Sequence, residues 1–132
     1  MMGLFSIFKS KQHDEYYNDE FNWVYFDKYK TGQEMFVSMD DIEISNQNNS
    51  FSLSFYQKTV DQKKGYQFIS RTHLFIDECK IINEDIKMVQ LKDNKIISYK
   101  TKDERKLPPS SPMFKCANFV LNLHAEQNKI KL

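Results

Sequence analysis

The side chains with which this chain could do chemistry are two cysteines, three histidines, and carboxylates that often stand in adjacent pairs. A thiolate nucleophile needs a base beside it, and neither Cys79 nor Cys116 has a Cys-x-x-Cys partner or a histidine at supporting spacing. Two states stay open for these thiols. They could form a bridge stapling helix to sheet, or stay reduced, as a reducing cytoplasm favours. His13, His73 and His124 are scattered over tail, strand and helix, without the local pairs that metal sites show. His73 and His124 could still meet in space with Cys116 under a covering helix. Satisfied, partly buried imidazoles are the simpler expectation.

The carboxylate pairs Asp14/Glu15, Asp19/Glu20, Asp40/Asp41, Asp77/Glu78 and Glu84/Asp85 do not form ready acid–base dyads. Neighbours on a strand point to opposite faces. Asp40, Asp41 and Glu43 lack the longer ligand array and central glycine of a calcium loop. Lys100, Lys102, Arg105 and Lys106 form a basic run that Asp103 and Glu104 dilute. Nineteen basic against 18 acidic residues leave a net charge of +1, without the broad field of a dedicated nucleic-acid binder. Gly3, Gly32 and Gly65 are too far apart for a phosphate-cradling loop. No catalytic residue, cofactor or metal is therefore expected, and a partner protein is expected instead. Trp23, Tyr25 and Tyr29 are the candidate interface, because Trp and Tyr dominate contact hot spots.

The elements that must position these residues are mostly strands. Eleven Phe, seven Tyr and one Trp suit a pleated, half-buried surface. Strands are expected over 22–27, 34–38, 51–56, 66–77, 80–91 and 96–99, the last two joined by a tight turn at 92–95. Phe51, Leu53 and Phe55 alternate with Ser52, Ser54 and Tyr56, which predicts one buried face. The segment 40–44 is expected as a short turn tucking Ile42 and Ile44 inward. A polar loop is expected over 45–50 and an exposed charged stretch over 100–106. Ser111 offers a cap and Pro112 suits the first helical position, so a helix starts there. Met113, Cys116, Ala117, Val120, Leu121 and His124 fall on one face of that helix.

The fold class is α+β: an antiparallel sheet of about six strands with one C-terminal helix on one face. Residues 1–20 form a tail or short helix, 21–127 a single domain, and 128–132 a frayed end. Leu4, Phe5, Ile7 and Phe8 precede their positive charges, so the start lacks the order of a secretory signal. Ile7 stands where a myristoylation signal wants Ser or Thr. No stretch reaches the length of a membrane span. The expected location is the cytoplasm, with Leu4 to Phe8 packing on the domain or on a partner.

Asn22-Trp23-Val24-Tyr25, Asp40-Asp41-Ile42, Ile76-Asp77-Glu78-Cys79 and Pro109-Ser110-Ser111-Pro112 followed by Cys116 resemble the surface-adhesin E (protein E-like) family of small bacterial proteins. The resemblance covers about Phe21 to Leu123. It implies an antiparallel sheet with a C-terminal helix, a disulfide between Cys79 and Cys116, and an exported protein that binds host or partner proteins. Members of that family carry an export signal. Two functions follow as expectations. The first is a non-enzymatic protein-interaction module, such as an immunity or inhibitor protein. The second is an adhesin-like binder, or a ligand-binding protein or enzyme with a dispersed site.

Overall fold

The computed structural model describes residues 15–131, and the expectations for Leu4 to Phe8 and for His13 lie outside them. Seven strands and one helix follow in order: β1 (Trp23–Lys28), β2 (Glu34–Ser38), β3 (Glu43–Gln47), β4 (Ser50–Asp61), β5 (Tyr66–Phe75), β6 (Lys80–Gln90), β7 (Ile96–Lys106) and α1 (Met113–Lys131). All pairings are antiparallel, in the order β1-β2-β4-β5-β6-β7. Strand β3 pairs with the first half of β4 and β2 with its second half, so β2 and β3 lie end to end along one long strand.

The segment 45–50 expected as a loop is instead a hairpin. Gln47 faces Ser50, and the two residues between them, Asn48 and Asn49, both have positive φ (53° and 62°). A two-residue hairpin turn needs that backbone at both positions, and asparagine tolerates it best after glycine. Ile44 consequently rides on β3 and stays exposed, while Ile42 packs against the core as expected. The stretch 100–106 is charged and largely exposed as expected, and it is also strand. It continues β7 to Lys106, paired with Lys80 to Ile86.

The inward face carries the core. Met35, Val37, Leu53, Phe55, Leu74 and Ile81 are buried together with Cys116, Ala117 and Val120 of the helix. The helix starts as its sequence demands: Ser111 Oγ accepts the Met113 amide at 3.2 Å, and Pro112 supplies the first turn. Its far end is tied down by Gln127 Nε2, which donates to Met39 O at 2.8 Å, and the helix continues past 127 to Lys131.

Residues 15–22 cross the opposite, outer face. The chain is pinned there by Tyr17 N to Asn94 O and by Ile96 N to Glu15 O, both 2.8 Å. Tyr17 is buried against Ile69 and Val89, with Trp23 and Ile96 beside them. This part of the expected tail is thus a non-helical strap on the sheet. Helix and strap cover opposite faces at opposite ends of the strands, and each face keeps one open half.

Candidate functional site

The three residues expected at an interface divide between the faces. Trp23 and Tyr25, two apart on β1, share the outer face. Tyr29 packs against the inner core, and its hydroxyl donates to Met35 Sδ at 2.9 Å. Around the first two, the register assembles a row of rings and cations. Tyr25 faces Phe36 across the strands, with ring centroids 5.6 Å apart, edge to face. Phe36 in turn faces Lys58, whose Nζ lies 5.0 Å from the Phe36 ring and 4.8 Å from the Trp23 ring. The strap adds Phe21, 5.3 Å from Trp23 and 4.5 Å from Tyr56. Arg71 closes the row 4.6 Å over Tyr56.

Asp19 fixes the middle of this row. Its Oδ1 accepts Trp23 Nε1 at 2.7 Å and its Oδ2 faces Lys58 Nζ at 3.5 Å. Arg71 is held by Asp41 O at 2.7 Å and Glu43 Oε1 at 3.3 Å. A charge-assisted bond thus sets Trp23 in place, the other rings pack by edges and cations, and Tyr25, 47 % exposed, is the one that stands furthest into solvent. Phe21, Phe36, Tyr56, Lys58 and Arg71 were not legible as site residues. Strand parity would have found Phe36 and Lys58, given the pairing partners.

The dispersed site of His73, His124 and Cys116 does not assemble. Cys116 is fully buried in the inner core, where the apolar surroundings push its thiol up to about 12. His124 Nε2 contacts Asn128 Nδ2 at 3.0 Å beside a hollow of about 400 Å³ that Asp40, Asp41 and Gln127 also line. His73 lies on the outer face. Its Nδ1 shares a 2.7 Å hydrogen bond with Ser54 Oγ, directly across the strands, and its Nε2 stands 3.5 Å from Glu84 Oε1. Serine, histidine and carboxylate in line resemble the order of a nucleophilic relay. The neighbouring strand amides, however, are already engaged in the β3–β4–β5 ladders, so they cannot cradle an oxyanion.

Asp40 accepts the Asn22 amide at 2.8 Å, its side chain at 3.2 Å and Ser38 Oγ at 3.2 Å. The backbone bond from Asn22 foremost holds its carboxyl below the usual range. Among the described residues, no three His, Cys, Asp or Glu side chains gather where they could hold a metal ion. The basic run is split by strand alternation. Arg105 and Asp103 turn to the inner face, 3.1 Å apart, while Glu104 turns outward, 3.9 Å from Lys80. Both cysteines are free thiols, Cys79 half-buried in a turn with φ of 49°. No helix among the described residues is long and apolar enough to cross a membrane.

No family model, curated protein or solved structure matches the chain. The resemblance to surface-adhesin E therefore rests on the short motifs alone.

The helix leaves a second feature uncovered. On the inner face, Gln57, Thr59, Phe68, Ser70, Asn83 and Ile86, with Gln33, Asp103 and Arg105 at the rim, line a hollow of about 390 Å³.

Proposed function

We propose that the chain is a small, non-enzymatic protein-interaction module that meets its partner through the outer-face row from Tyr25 to Arg71. The observation that supports this most is the fixing of Trp23 and Lys58 by one carboxylate, Asp19, next to the exposed ring of Tyr25. A ring already held, as Trp23 is, loses little freedom on binding, so more of its burial appears as affinity. A cytoplasmic immunity or inhibitor protein covering a partner's working site is the form that fits best. Its net charge of +1 sets it apart from acidic inhibitors that mimic nucleic-acid phosphates.

An exported, adhesin-like protein is the second form, supported by the short surface-adhesin E motifs. The state of Cys79 and Cys116 in protein taken from native cells separates the two: reduced for the first, bridged for the second. The common role is tested by affinity capture from native extract with the wild-type chain and with Tyr25→Ala. A stoichiometric protein that the wild type retains and the variant loses supports the module. Equal retention by both, or capture of a small metabolite alone, refutes it.

A further inference from the structure

Following the inward positions along each strand shows where the face changes character. On β4 they run Leu53, Phe55, Gln57, Thr59. On β5 they run Leu74, Thr72, Ser70, Phe68, and on β6 Ile81, Asn83, Ile86. Apolar side chains occupy the end under the helix, and at the other end amides and hydroxyls surround Phe68 and Ile86. Those polar groups are not loosely solvated. Ser70 and Asn83 are each only 7 % exposed, and Thr72 is fully buried. Among the described residues the buried polar atoms without a hydrogen bond are Tyr17 Oη and His73 Nε2, neither in this hollow, so the spare donors and acceptors here face its open side.

The bonds already made determine what the hollow still offers. Thr72 Oγ1 at 2.8 Å and Gln57 Nε2 at 3.2 Å both donate to Asn83 Oδ1. Asn83 is left with its amide N–H groups, and Gln57 with its carbonyl. Gln33 Nε2 donates to Asp61 Oδ2 at 3.1 Å, which leaves the Gln33 carbonyl. Ser70 and Thr59 add hydroxyls that donate or accept. At the rim the Asp103 carboxylate is shared by Arg105 Nε at 3.1 Å and Lys100 Nζ at 3.4 Å. Phe68 and Ile86 supply an apolar floor, with Phe68 propped edge-on by Tyr66 at 5.1 Å.

From this we infer that the inner hollow is a binding site for a small, neutral, polyhydroxylated molecule of the monosaccharide class. Alternating donors and acceptors match hydroxyl groups, the inner lining of Gln57, Thr59, Ser70 and Asn83 carries no charge of its own, and the Phe68 ring suits the C–H face of a sugar. A volume of about 390 Å³ lies in the range of small-ligand sites. The site is on the other face from the Tyr25 row and does not depend on the protein-interaction reading.

The test is a two-dimensional amide NMR titration of the full chain with glucose, galactose, ribose and N-acetylglucosamine, each at millimolar concentration. Saturable shifts confined to Gln57, Thr59, Phe68, Ser70 and Asn83 are expected for at least one sugar. Thr59→Trp fills the hollow and abolishes the response. Ser70→Ala, which removes a single hydroxyl, weakens it about tenfold. No saturable shift from any of the four overturns the proposal, as does an undiminished response in Thr59→Trp. Tighter binding of glucose 6-phosphate than of glucose overturns the neutral character. Tyr25→Ala leaves the titration unchanged, which keeps this result separate from the partner-capture result.

Discussion

The outer row and the inner hollow are built from the same strands and differ in how their residues are held. In the row, Tyr25, Phe36, Trp23 and Tyr56 meet through ring edges and cations, and Asp19 and Glu43 anchor the charges from outside. In the hollow, Thr72, Gln57 and Asn83 hold one another through neutral hydrogen bonds beneath the surface. The row presents a firm apolar relief suited to another protein's surface, and the hollow presents sheltered donors and acceptors suited to a small polar molecule. Neither borrows from the apolar core beneath the helix. Binding and stability are thereby assigned to different residues, sometimes to neighbours on one strand.

That division is most open to failure on β4. Phe55 is fully buried beneath the helix, and Phe55→Ala should cost about 3–5 kcal/mol in denaturant unfolding. Gln57→Ala, two residues on and facing the same way, should cost only about 1 kcal/mol, the worth of one hydrogen bond. Equal losses would mean that the hollow is part of the core. Ser111→Ala, which removes the cap on the Met113 amide, should cost about 1 kcal/mol.

Titration adds an effect that depends on pH. Burial holds the Cys116 thiol at about 12, against 9 for an ordinary one. Above pH 9 the unfolded chain gives up this proton while the folded chain keeps it. Stability is present in full below that point and falls as pH rises toward 12, by up to about 1.4 kcal/mol per unit. Cys116→Ala should flatten this alkaline slope in unfolding measured from pH 8 upward. Asp61 works in the other direction. Its carboxyl is lowered, chiefly by the Lys64 amide and next by Gln33. Its contribution is present above the ordinary carboxylate range and is lost as pH falls through the lowered value. Asp61→Asn should therefore reduce the acid dependence. In thiol labelling of the native chain, Cys79 should react readily and Cys116 only on unfolding.

Much of this architecture is legible in the residues themselves. The alternation from Phe51 to Phe55, the Ser111-Pro112 start and the helix face around Cys116 and Val120 each announce their element. Asn48-Asn49 conceals a hairpin because its signal is a backbone conformation rather than a hydrophobic pattern. The charges of β7 hide a strand because its edge position leaves most of its side chains in water. The sites were less legible. Trp23 and Tyr25 could be picked out by type, but Tyr29 turns inward past the bulge after Tyr25, where β1 changes register. Lys58, Arg71, Asn83 and Ser70 gain their roles only from cross-strand partners that local sequence does not name.

The most direct check on the outer row is a binding isotherm of the captured partner against wild type and Tyr25→Ala, with thermal unfolding of both chains. Affinity should weaken by about thirtyfold or more, as for a hot-spot residue, with unfolding essentially unchanged. Unaltered affinity, or affinity lost only because the variant unfolds, would contradict it.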